Sequence, residues 1–182
     1  MKTANLIKLC THDMSGCSGR PRPEIDLLQW GTICTYLLEH PSYLLSSLAH
    51  FEAEQPSLTN YLLNCCPCLN RDGQCWLKIQ TIAIWRAFKQ QFPNLRPVTE
   101  AEIANIHDRI LQHLGKPPLC LCELHQRSLM GVVVGATAGL ASEGSIPIPT
   151  ANSMGLAMLT VNEAFDRASY IPPMPEAKSS KT

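Results

Sequence analysis

The chain has 182 residues, 15 Lys and Arg against 15 Asp and Glu, and so no formal net charge. Charged residues make up 16% of it, below the roughly 25% of an average globular protein, and no basic run is present. That argues against a nucleic-acid partner, since neutralising phosphates needs clustered Lys and Arg, and 45% hydrophobic content argues against a wholly disordered chain.

The organisation reads as an irregular N-terminal segment over 1–22, a helical domain over 23–168 and a flexible tail over 169–182. The expected fold class is mostly α, one compact domain of five to six helices with cysteine-rich junctions, stapled by a metal. Pro23 occupies a first-helical-position slot, with Glu24 and Asp26 near the positive helix end. Ile25, Leu28, Ile33, Leu37 and Leu38 then predict a helix to about His40. Ser42 is a cap for a second helix over 43–54, and 57–63 reads as a short helical turn. Trp76–Phe92 predicts an amphipathic helix: Trp76, Ile79, Ile82, Ala83 and Phe88 form the apolar stripe, and Lys78, Arg86 and Lys89 cover the other side. Thr99 and Glu102 have capping-box spacing ahead of a helix over about 100–114. Residues 129–141 are apolar and small, with a short buried strand an option over 131–134. Residues 142–153 read as a loop, and 154–168 as the last helix.

Nine cysteines stand out. The N-terminal residues include Lys8 and His12, which interrupt any secretory apolar region, so a reducing cytoplasmic setting is expected. In that setting clustered cysteines point to metal ligation, catalytic thiols or burial as small hydrophobes. Three groups occur: Cys10, His12 and Cys17; Cys65, Cys66, Cys68 and Cys75; and Cys120, Cys122 and His125. Structural zinc takes four tetrahedral sulfur or nitrogen ligands, two of them commonly from a C-x2-C turn, the spacing of Cys65 and Cys68. Cys65, Cys68, Cys75, Cys120 and Cys122 are therefore the candidate zinc ligands, while the adjacency of Cys65 and Cys66 speaks against both joining one tetrahedral site. An iron–sulfur cluster is the alternative, because four thiolates at varied separations also hold one. Cys34, isolated on an apolar helix, reads as core.

Catalysis is less supported, because the six histidines form no signature with a cysteine. His107 and His113 read as solvated, and Trp30, Trp76 and Trp85 as core. Gly131, Gly135 and Gly139 stack on one face of a helix, which suits close packing in the core or on a protein partner. The 13 apolar residues of 129–141 fall short of the ~20 needed to span a bilayer. The leading expectation is a non-enzymatic, zinc-binding helical module acting in protein–protein interaction within a larger cytosolic or viral assembly. The alternatives are an iron–sulfur or thiol redox protein, and a small membrane-associated protein using segment 129–159.

Overall fold

A computed structural model of the chain describes residues 23–67, 69–114 and 126–169. Among these there are seven helices and no strand: α1 (Leu27–Glu39), α2 (Pro41–Glu54), α3 (Pro56–Cys65), α4 (Arg71–Gln91), α5 (Glu100–Leu114), α6 (Arg127–Ser142) and α7 (Ile148–Ala168). The segments expected to be irregular at the N-terminus and flexible at the C-terminus lie outside the described residues, apart from Ser169.

Local chemistry sets the helix ends, not always where the pattern put them. The first helix starts later than Pro23: Asp26 is the N-cap and its Oδ1 accepts from Leu28 N at 2.9 Å. Proline itself occupies the first turn of α2 and of α3, where its missing N–H costs no bond, so Ser42 is not a cap and the expected turn at 57–63 is a full helix. Asn70 caps α4 through Gly73 N at 2.8 Å, so this helix begins at Arg71, ahead of the expected Trp76. The capping box before α5 forms as read: Glu102 Oε2 accepts from Thr99 N at 2.9 Å, and Glu102 N donates to Thr99 Oγ1 at 3.3 Å. α6 covers the optional strand. It ends in a Schellman turn, in which Ser145 N donates to Leu140 O at 2.9 Å and Gly144 N to Ala141 O at 3.1 Å. Gly144 takes φ +74°, a left-handed conformation that costs glycine nothing. The connection after it is short, because α7 begins at Ile148.

The two 21-residue helices, α4 and α7, pack on one another as the spine. α1 and α2 lie against α4, α5 and α6 lie against α7, and α3 bridges to α5 and α7. A central position narrows the polar side expected of α4: Thr81 through Trp85 are all buried, while Lys78 stays exposed and Lys89 pairs with Glu54 at 2.8 Å. Its Arg86 is half-buried, donates to Ser47 Oγ at 3.0 Å and lies over the Tyr43 and Trp85 rings. Phe51, Trp85, Phe88 and Phe165 form the aromatic centre, with edge-on pairs such as Phe51–Trp85 at 5.7 Å. Trp30 is also core, whereas Trp76 is half-buried. The buried Glu163 carboxylate accepts from Arg109 at 2.6 Å and Arg167 at 3.1 Å, tying α5 to α7.

Two buried glutamines fasten extended segments to this frame in the same way. Gln55 Oε1 accepts from Val98 N at 2.9 Å while its Nε2 donates to Arg96 O at 3.2 Å. Gln126 Oε1 accepts from Ile25 N at 2.7 Å while its Nε2 donates to Pro23 O at 3.3 Å and to Asp166 Oδ1 at 3.2 Å. Each carboxamide thus stands in for a neighbouring strand, supplying the acceptor and donor that an extended i, i+2 backbone pair requires.

Candidate functional site

The polar groups that converge are found where α3, α5 and α7 meet. A cavity of about 390 Å³ is lined by Tyr61, Asn64 and Cys65 of α3, His107 of α5, and Ser153 and Leu156 of α7. The α3 residues fall at i, i+3 and i+4, so one helix face supplies all three. Tyr61 Oη lies 2.8 Å from His107 Nδ1, in hydrogen-bond contact, and the two rings meet edge-on at 5.6 Å. His107, expected to be solvated, is therefore half-buried and partnered.

Cys65 ends α3, and its Sγ donates weakly to Leu62 O at 3.5 Å and to Cys66 Sγ at 3.6 Å. That second contact, together with burial, pushes the Cys65 thiol far above its ordinary range. Cys66, receiving the bond, is held below the ordinary value, its burial opposing. Ionisation of the pair therefore begins at Cys66, with the remaining proton on Cys65. Burial also raises the Tyr61 hydroxyl, against a hydrogen bond shared with Thr160. Tyr61 and Cys65 are thus both held in their neutral forms at pH 7, a poor state for a nucleophile.

The expected zinc ligands are only partly placed. Cys65 is half-buried in this pocket and Cys75 is exposed on α4. Cys68, Cys120 and Cys122 lie outside the described residues, as do Cys10, His12, Cys17 and His125. Among the described residues no three His, Cys, Asp or Glu side chains gather as a metal site. Cys34 is half-buried against the core, and burial pushes its thiol up to about 12. The adjacency of Cys65 and Cys66 carries no penalty of distance: their separation of 3.6 Å is close to the ~3.8 Å between two sulfurs of a tetrahedral zinc with ~2.3 Å bonds.

The surface holds a second feature. On α1, Leu28, Gly31, Thr35 and Leu38 follow at intervals of three, four and three, and Leu28 and Leu38 are 81% and 63% exposed. A Cβ added at Gly31 meets nothing within 4 Å, and Glu39 is the sole charged residue of the helix. The glycine line of α6 also faces outward: Cβ atoms added at Gly131, Gly135 or Gly139 meet nothing within 4 Å. The expected close packing of that line within the core is therefore corrected. α6 instead buries Leu129, Met130, Val133 and Thr137, and it packs on α7. Among the described residues no helix is long and apolar enough to cross a membrane.

Comparison of the chain with known protein families, with curated proteins and with solved structures finds no match.

Proposed function

We propose that this protein is a non-enzymatic helical module acting in protein–protein interaction, and that it docks an α-helix through the outer face of α1. The observation that carries this reading is the row Leu28, Gly31, Thr35 and Leu38, exposed at all but the half-buried Gly31. Its three–four spacing is the a/d pattern by which one helix seats another at a shallow crossing angle, and Gly31 permits close approach. The occupant is a second copy of this chain. Zero net charge leaves copies without long-range repulsion, and a two-fold arrangement sets the same uncharged row against itself. The outward face of Gly131, Gly135 and Gly139 on α6 is the second surface for a protein partner within a larger assembly.

The test is the molar mass by light scattering across a concentration series, for the protein and for a Leu28→Glu, Leu38→Glu variant. Each buried leucine is worth roughly 1.5–3 kcal/mol, so the double variant is expected to weaken self-association at least 100-fold. Circular dichroism should stay unchanged, since both side chains already face solvent. A protein that is monomeric at every concentration, or one whose association ignores the variant, overturns the reading.

Zinc held by thiolates from Cys65, Cys68, Cys75, Cys120 and Cys122 is the metal part of the proposal. Its support is that the Cys65 thiol lies at a junction between helices, where a staple would act. Elemental analysis of protein purified without added metal is expected to find zinc. Protein lacking zinc refutes this part, and iron in its place selects a cluster.

A further inference from the structure

The two sulfurs at the end of α3 and the pocket beside them form one chemical unit. Cys65 Sγ and Cys66 Sγ are 3.6 Å apart, and Cys65 also lines the cavity. This separation discriminates between soft ligands. With sulfur bonds of about 2.3 Å, a linear two-coordinate ion needs sulfurs roughly 4.6 Å apart, whereas a centre with a bond angle near 100° needs roughly 3.5 Å. A tetrahedral ion meets the distance but needs further protein ligands, and no third His, Cys, Asp or Glu joins the pair among the described residues. A bent, three-coordinate centre needs only the two sulfurs and one substituent of its own. The cavity is large enough for that substituent: about 150 Å³ accommodates a benzene ring, and this one measures about 390 Å³. Leu156 offers it an apolar wall, with Tyr61, Asn64, His107 and Ser153 around it.

We propose that Cys65 and Cys66 form a vicinal dithiol site for a trivalent thiophilic metalloid of the monosubstituted arsenical class, its organic substituent seated in the cavity between α3, α5 and α7. Binding is a condensation. Two arsenic–sulfur bonds form, the arsenic–oxygen double bond breaks, and both thiol protons leave with that oxygen as one water. Arsenic stays trivalent and no electrons are exchanged. The site does not involve α1 and stands apart from the interaction reading.

The probe is phenylarsine oxide, titrated into the reduced full-length protein and followed by intact mass and peptide mapping. One tight adduct is expected on the Cys65–Cys66 peptide, resistant to excess monothiol and reversed by a dithiol. Because the second sulfur acts at high effective concentration, Cys65→Ala and Cys66→Ala are each expected to weaken it about 100-fold or more. Cys75→Ala and a Cys120→Ala, Cys122→Ala variant are expected to retain it. An adduct that survives in the Cys65→Ala, Cys66→Ala double variant, or that maps to another peptide, overturns the proposal. Leu156→Trp takes up cavity volume while leaving both thiols in the chain, so it is expected to weaken phenylarsine oxide far more than inorganic arsenite. Equal effects on the two overturn the placement of the substituent. Zinc measured on the same preparation keeps the outcomes distinct, since zinc-free protein that takes the arsenical refutes the zinc proposal alone.

Discussion

Replacing Gln55 by leucine tests how the α4–α5 connection is held. Gln55 sits between α2 and α3 with 1% of its surface exposed, and its carboxamide serves both Val98 N and Arg96 O. Leucine keeps much of the volume and removes both bonds. Val98 is 3% exposed, so its N–H is left without an acceptor, at a cost of about 1–3 kcal/mol. Arg96 is exposed, and its carbonyl reaches water, which limits that loss to about 1 kcal/mol. Together these come to about 2–4 kcal/mol, or roughly 4–16 °C in melting temperature for a domain of this size. Urea unfolding measures the total, and hydrogen exchange at the Val98 amide reads the broken bond directly. Gln55→Glu adds a control with a defined sign. Its carboxylate still accepts from Val98 N but opposes the Arg96 carbonyl, so the charged form is disfavoured in the fold. The folded value of the new carboxyl is then raised. The Glu variant should lie closer to the parent at pH 4 than at pH 7, losing ground as pH rises. A Gln55→Leu protein within 0.5 kcal/mol of the parent, with Val98 still protected, would refute the reasoning.

Two further outcomes follow from the same structure. Arg96 beside Glu102, with help from the Thr99 backbone, holds the Glu102 carboxyl at about 2 against an ordinary 4.5. A depressed carboxyl stabilises the fold above 4.5, and that contribution is lost as pH falls from about 4.5 to 2. The Glu102 side chain is about a third exposed, so screening reduces the effect to about 1 kcal/mol at neutral pH. Unfolding of Glu102→Gln should differ from the parent by that amount at pH 7 and converge with it near pH 2. Gly135→Ala on the open face of α6 should stabilise the protein by up to about 1 kcal/mol, while Gly144→Ala at φ +74° should destabilise it by about 1–2 kcal/mol. Thermal melts of the two variants moving in the same direction would contradict this assignment of the glycines.

Much of the helical frame was legible along the chain. Apolar spacing and prolines located α1, α2, α5 and most of α4 and α7, and Thr99 with Glu102 announced the start of α5 because a capping box is a local interaction. Errors arose where a local signal had two readings. Proline at 41 and 56 reads as a stop for one helix, yet it also starts the next. Asn70 and Gly73 are residue types that turns also favour, yet here they form the cap and first turn of α4. The candidate site was hardly legible. Cys65 was singled out for its spacing, but Tyr61, His107 and Ser153 are distant in sequence and carry no shared pattern. Gln55 and Gln126 look like surface residues until the backbone groups they serve are seen.

Sequence alone determined the helical class, the low and balanced charge and the grouping of the thiols, because these depend on composition and on neighbours a few residues apart. Only the tertiary structure decided which faces are covered. α4 kept only a narrow polar side by lying at the centre, and the glycine line of α6 turned outward because Leu129, Met130 and Val133 claimed the contact with the core. The 3.6 Å between Cys65 and Cys66 is a local distance, set where α3 ends between them, but the cavity beside it is built by three helices. Burial and that cavity are properties of packing between distant segments, and no local pattern encodes them.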